Sequence, residues 1–279
     1  MIYLILAILC SSCLALAFAL AGKLKLDTMN ITLINYIAAC GVSAFNLFRE
    51  ISGGIFSPAA MSAYTLPIAI CAGAAALAGF WFIQRSVVAN GPSATTMFSK
   101  LAMVIPVLVS VLFLNEEAGL LRWIGILLAV ISLILYNWDG GFKVNGLLLG
   151  VWLTDGWAIL CSNLFARTCN PVDNTFYLTV LFGTAAVLAA VLIIKGKGPK
   201  ITLKEISFGF VLGVLNLGNI GFMVKSLQVL PTSIVSPVIA VGVILITAIA
   251  GRLFFGETFK KRKITALGIT IAALVILNI

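Results

Sequence analysis

Apolar stretches about one bilayer long recur along the whole chain, divided by short polar junctions. A span needs about 20 apolar residues to cross a hydrocarbon core about 30 Å thick. Measured that way, the pattern predicts transmembrane helices over 2–21, 30–48, 63–84, 92–114, 120–138, 146–166, 173–194, 205–226, 231–254 and 264–278. The junctions are Gly- and Asn-rich, as in Gly53-Gly54, Asn90-Gly91-Pro92, Asp139-Gly140-Gly141, Asn170-Pro171 and Gly256-Glu257. Pro92 and Pro231 are expected in first helical turns, where a missing N–H costs nothing. The first run has no basic segment before it and no small-residue cleavage site after it, so it reads as a membrane helix and not as a removed signal. No junction is long enough to hold a soluble domain.

The pattern also repeats. Phe82-Ile83-Gln84-Arg85-Ser86 resembles Phe222-Met223-Val224-Lys225-Ser226, half a chain further on. Pro92-Ser93 then matches Pro231-Thr232, Leu114-Asn115-Glu116 matches Phe255-Gly256-Glu257, and Gly125 matches Gly268. Two five-helix repeats are expected, over 1–139 and 140–279. Five is an odd number, so the second repeat starts on the opposite side of the membrane and must be inverted. Inverted repeats are the architecture of alternating-access transporters, with substrate held near the midplane.

Composition narrows the picture further. The chain is 62% hydrophobic and 10% charged, against about 25% charged in an average soluble domain. Mean hydropathy is +1.17. A soluble fold lacks a surface at that composition, and disorder needs low hydrophobicity. An all-α membrane protein remains. The net charge of +9 resides in connections, as expected for membrane topology, and implies no nucleic-acid partner. The sequence contains no histidine, which removes the commonest general base and metal ligand. The six cysteines, Cys10-x-x-Cys13 included, read as small packing side chains. No GxxxxGK[ST] occurs, which argues against direct ATP use. No metal, no cofactor and no catalytic residue are expected; the chain is not read as an enzyme.

Ionisable residues at bilayer depth are functional candidates, since each costs at least ~2.5–3.5 kcal/mol on insertion scales. Asp155, in Val151-Trp152-Leu153-Thr154-Asp155-Gly156-Trp157, falls near the middle of its span. Helical spacing places Trp152, Ile159 and Ser162 on its face. A carboxylate beside an indole suits a cationic or zwitterionic ligand. It could also carry a coupling proton, because desolvation favours its neutral form. Lys100 lies about 12 Å into the predicted fourth span, at 1.5 Å per residue. It could hold a substrate carboxylate or phosphate, or pair with Asp155. The polar pairs Trp81/Gln84, Asn35/Tyr36 and Asn216/Asn219 are softer candidates for the cavity wall. Arg85 and Lys225 read as helix-end residues whose charge reaches the interface. Glu116, Glu117 and Glu257 read as surface corners. Gly209-x-x-x-Gly213 fits close helix approach.

Several of these stretches together resemble the EamA-like branch of the drug/metabolite transporter superfamily. The resemblance is carried by Met103-Val104-Ile105-Pro106 running to Asn115-Glu116, by Ala248-Ile249-Ala250-Gly251-Arg252 running to Gly256-Glu257, and by the glycine helices at Ile124-Gly125 and Leu267-Gly268. It covers the whole chain. It departs where Cys10-Ser11-Ser12-Cys13 replaces a tryptophan-glycine pair and where Asn115 precedes Glu116. It implies ten helices around a central cavity and movement of a small metabolite. Basic residues concentrate in the odd-numbered connections, which places those in the cytoplasm and both termini outside; the resemblance implies both termini inside.

The resulting expectation is a multi-pass secondary transporter in the cell membrane, plasma or bacterial inner. It would move a small polar solute by proton coupling or exchange, as a monomer or homodimer. A flippase for lipid-linked head groups and a non-transporting membrane subunit are the alternatives. The candidate site comprises Asp155, Lys100, Trp152, Trp81, Gln84, Asn35, Tyr36, Asn216 and Asn219.

Overall fold

The computed structural model describes residues 1–57, 61–113, 119–137, 145–196, 201–255 and 261–277. Among these the chain forms ten α-helices. They are α1 (Ile2–Lys23), α2 (Thr28–Ser52), α3 (Thr65–Leu101), α4 (Val104–Phe113), α5 (Leu120–Asn137), α6 (Gly146–Thr168), α7 (Asn174–Gly196), α8 (Leu203–Leu227), α9 (Thr232–Phe255) and α10 (Lys261–Leu277). A 3₁₀ turn, Pro171–Asp173, precedes α7. Seven described segments are long and apolar enough to cross a membrane. Three more, Phe98–Phe113, Trp123–Leu135 and Ile264–Ala273, are apolar but shorter. The fold is that of an all-α membrane protein. The predicted corners at 115–117, 139–141, 197–199 and 256–257 lie outside the described residues.

The outer surface confirms the setting. Val88, Phe113 and Ile194 are 89%, 74% and 77% exposed. Large apolar side chains laid bare over whole helices are solvated by lipid and would be a liability in water.

One boundary differs from the sequence pattern. Spans three and four were expected to part at Asn90-Gly91-Pro92, but α3 runs through these residues and ends at Leu101. The break falls at Ala102-Met103, ahead of Pro106. Proline has no N–H and crowds the carbonyl four residues before it. The Ala102 carbonyl instead receives the N–H of Ile105, at 3.1 Å. Pro106, not Pro92, is the residue that interrupts the helix. Pro231 sits one residue before α9, its carbonyl accepting from Ile234 N and Val235 N.

Helix starts are set by side-chain caps. Asp27 accepts from Asn30 N at 2.9 Å. Asn145 accepts from Leu148 N at 3.1 Å. Thr202 and Glu205 form a reciprocal capping box at the start of α8.

The chain divides into two compact units, each drawing helices from both halves of the sequence. One comprises Met1–Leu77 with Cys161–Gln228; the other, Ala78–Leu160 with Val229–Ile279. In the first, α2 packs against α7 and α8, and α1 against α8. Contacts fix their directions. Ser43 reaches Thr175 and Cys40 reaches Thr179, so α2 and α7 run antiparallel. Gly209 abuts Ile34 and Gly213 abuts Ala38, so α2 and α8 run parallel. The core here centres on Tyr177, Phe165, Phe182 and Leu181. Phe165 and Tyr177 stack at 4.2 Å, and the Tyr177 hydroxyl pairs with Ser162 at 3.0 Å. In the second unit α5 packs on α10 and α9, and α4 on α9, around Met103, Leu133 and Val241.

Between lipid-embedded helices there is no hydrophobic drive to associate, so close contact must supply the attraction. A Cβ on Gly213 would stand 2.6 Å from the Asn35 carbonyl oxygen and 2.7 Å from Ala38 Cβ. Only glycine permits that approach. Gly41, also on α2, has nothing within 4 Å of a built Cβ. Gly213→Ala is therefore expected to destabilise by roughly 1–3 kcal/mol through overpacking, and Gly41→Ala to change stability by no more than about 0.5 kcal/mol. Thermal unfolding of the two variants in detergent checks the contrast.

Candidate functional site

Five of the expected site residues, Asp155, Lys100, Trp152, Trp81 and Gln84, fall in the second unit, and four, Asn35, Tyr36, Asn216 and Asn219, in the first. Each group stands on its own geometry.

In the second unit the break in the α3–α4 segment and the middle of α6 meet. Asp155 is the tenth residue of α6, so it lies about 13 Å along it at 1.5 Å per residue. Ser99 Oγ donates to Asp155 Oδ2 at 2.5 Å. A hydroxyl donating to a carboxylate at this distance is a strong, charge-assisted bond. Lys100, the next residue, is half-buried and interacts electrostatically with Asp155. The bond to the carboxylate comes from Ser99, whose serine gives no signal in the sequence beside its charged neighbour. Trp152, one turn before Asp155, donates its indole N–H to the Leu101 carbonyl at 3.2 Å. Carbonyls at a helix end lack an intrahelical partner, and the indole satisfies one at the break.

The other face of Asp155 is set by glycine. A Cβ on Gly79 would stand 2.7 Å from Asp155 Oδ1 and 3.3 Å from Thr154 Oγ1. Gly156, next to Asp155, likewise admits Ile105, whose Cδ1 would be 2.3 Å from a built Cβ. These two glycines let α3 and α4 close on α6 around the carboxylate. Among the described residues Oδ1 takes no hydrogen bond. Trp81 and Gln84 lie half-buried in the interior of α3. Trp81 meets Phe82 edge-on at 5.0 Å, and the Arg85 guanidinium carbon lies 3.9 Å above the Trp81 ring centroid. Arg85 is thus in mid-helix, one turn from Trp81, and not at a helix end as its pattern suggested.

In the first unit the expected polar residues are used to join helices. Asn216 Nδ2 donates to Asn35 Oδ1 at 3.2 Å, linking α8 to α2. The Tyr36 hydroxyl donates to the Ala76 carbonyl at 3.4 Å, and its ring lies 6.3 Å from that of Phe182. Asn35 and Tyr36 are 2% and 5% exposed. Asn219 is half-buried on α8.

Two further acids were not singled out from sequence. Asp173, 2% exposed, accepts from Ser62 N at 3.0 Å and Thr65 Oγ1 at 2.9 Å. Glu205, 5% exposed, accepts from Asp27 N, Asn30 Nδ2 and Thr202 N at 3.0, 3.3 and 2.8 Å. Both tie the start of one helix to the start of another, Glu205 through both carboxylate oxygens and Asp173 through Oδ2. Among the described residues no cluster of three His, Cys, Asp or Glu could hold a metal ion.

Residues 144–279 match the EamA-like transporter family. The second half of the chain is thus similar to this transporter family. A Haemophilus influenzae protein, described only as uncharacterized, is 28% identical over 268 residues, covering 92% of this chain and 91% of its own length. A solved crystal structure aligns with a TM-score of 0.74 at 14% identity, over 99% of this chain and 94% of that one; at that identity the likeness concerns the fold alone. The chain is a multi-pass membrane protein whose second half is similar to a transporter family.

The Asp155 geometry yields a direct test. Gly79→Ala forces the carboxylate away from Oδ1's present place and off Ser99. Its effect on ligand-induced thermal stabilisation is expected to match that of Ser99→Ala, and a double variant to add nothing further. Full additivity in Tm measurements on the three variants would show that Gly79 does not act through this carboxylate.

Proposed function

We propose that the chain is a secondary active transporter of a small polar metabolite, amino-acid-like, amine or organic anion, in the plasma or inner membrane. It works by alternating access between two inverted five-helix repeats, 1–139 and 140–279. The energy comes from a proton gradient or from substrate exchange. Transport, and not catalysis, is the activity.

One observation carries this reading: an interrupted helix meets a mid-span carboxylate. Irregular backbone at membrane depth is tolerated only where protein or a water-filled cavity satisfies it. Transporters of inverted-repeat design place substrate sites at such discontinuities. Here the α3–α4 break brings Ser99, Lys100 and the Leu101 carbonyl beside Asp155 and Trp152. The arrangement offers a carboxylate with one oxygen engaged and one open, an ammonium beside it, and an indole fixed by its N–H. A solute ammonium would take Oδ1, and a solute anion would take Lys100. Protonation of Asp155 would weaken the first contact and release a cation.

The antiparallel course of α2 and α7, second helices of the two halves, supports the inverted arrangement, since inversion requires it.

The test is a thermal-shift screen against anionic, cationic and zwitterionic metabolites, followed by uptake of the stabilising solute into proteoliposomes. Ligands that bind only the folded state raise its Tm. Asp155→Asn and Lys100→Ala are each expected to lower initial flux at least roughly tenfold, the equivalent of losing one charged hydrogen bond worth about 1.5–3 kcal/mol. Protein yield and unliganded Tm should stay near wild type. Wild-type flux in both variants would remove this pair from the mechanism.

A further inference from the structure

The first unit holds a cavity of about 780 Å³, within the roughly 300–1,000 Å³ usual for small-molecule sites. It lies among the C-terminal part of α2, the start of α7, α8 and α1. Its apolar wall includes Leu178, Leu217 and Phe222. Its polar wall carries one acid, Glu50, two bases, Arg49 and Lys225, and the amide of Asn174.

The acceptors on that wall are incompletely matched. Thr175 Oγ1 donates to Glu50 Oε1 at 2.8 Å. Among the described residues neither Glu50 Oε2 nor Asn174 Oδ1 has a hydrogen-bond partner, though both atoms are buried. Asn174 is only 8% exposed. A buried acceptor without a donor is destabilising, so two in one cavity call for a donor-rich group. The bases are differently placed. Lys225 Nζ stands 5.5 Å from the Tyr3 ring centroid, and Arg49 is exposed in the last turn of α2. Both line the cavity and are available to an anion.

We propose that this cavity is a second binding site, separate from Asp155, for a zwitterion that carries a primary ammonium and an anionic group on a short backbone. The ammonium N–H groups satisfy Glu50 Oε2 and Asn174 Oδ1. The anion is held by Arg49 and Lys225. An apolar remainder lies against Leu178, Leu217 and Phe222. This chemistry belongs both to free amino acids and to the ethanolamine head group of a phospholipid. Because the acceptors require N–H donors, a quaternary ammonium is excluded.

The experiment measures Tm of the full-length protein in lipid-free detergent with millimolar L-leucine, glycerophosphoethanolamine or glycerophosphocholine. A rise with L-leucine identifies the free-solute source, and a rise with glycerophosphoethanolamine the lipid source. Glycerophosphocholine should give none. The rise should be lost in Glu50→Gln and in Arg49→Gln, the second being an exposed position whose change leaves folding intact. It should persist in Asp155→Asn, which separates this site from the transport reading. No rise with either primary amine, an equal rise with glycerophosphocholine, retention in Arg49→Gln, or loss in Asp155→Asn would each overturn the proposal.

Discussion

A carboxylate removed from water has to be met by donors, because the penalty for leaving its charge bare is several kcal/mol. This chain meets its buried acids unequally, and the inequality separates scaffold from site. Glu205 receives three hydrogen bonds and Asp173 two. Each holds helix starts together, Glu205 through both oxygens and Asp173 through Oδ2. Among the described residues Asp155 and Glu50 each receive one, from Ser99 and Thr175, and neither clamps helix starts together. The first pair can be exchanged for nothing without loosening the bundle. The second pair, with a single donor each among the described residues, stands where ligands are proposed to bind.

The clamping pair also shows how the two halves of the sequence are used. Glu205, at the start of α8, ties down the start of α2 at Asp27 and Asn30. Asp173, at the start of α7, ties down the start of α3 at Ser62 and Thr65. Helices α2 and α7 hold the same place in their halves, as do α3 and α8. The two clamps are thus the same junction made twice, with the acid on the third helix of a half in one and just before the second in the other. Exchange of the halves maps one junction onto the other while the acid changes its bearer. A junction needs one carboxylate and a set of donors, and geometry does not dictate which helix brings which.

Much of this was legible from the residues. Eight of the ten helices, all but α3 and α4, follow the hydrophobic ruler closely, because lipid demands long apolar runs and helices satisfy their own backbone. The exception is instructive. Asn90-Gly91-Pro92 has the composition of a turn, yet the helix continues through it, and Pro106 inside an apolar run makes the break. Local propensity is a weak prior when tertiary packing can override it. The site was half legible. Asp155 and Lys100 declare themselves by charge at depth. Ser99, Gly79 and Gly156, which position the carboxylate, do not, since serine and glycine are common in every membrane helix. Asn35 and Asn216, read as candidates for the cavity wall, bond to each other across α2 and α8. An amide read from sequence cannot reveal whether its partner is another helix or a solute.

The halves part company at their prolines, and this bears on where charge can move. Pro106 falls in the first turn of α4, where a proline costs little, so the chain opens just ahead of it and leaves the Leu101 carbonyl to Trp152. Pro237 lies six residues into α9, and that helix continues unbroken. Around it stand Ser233 and Ser236, both buried, where the other half has Ser99 and Lys100 near its break. Hydroxyls can return their donors to the preceding turn of the helix and so compensate a proline in place. A lysine cannot do this without exposing its charge to lipid. An interrupted, charged segment in one half and a continuous, hydroxyl-lined one in the other give the second unit one polar junction, not two. The proposed site residues Asp155 and Lys100 therefore stand at the interrupted segment, while its α9 counterpart carries buried hydroxyls.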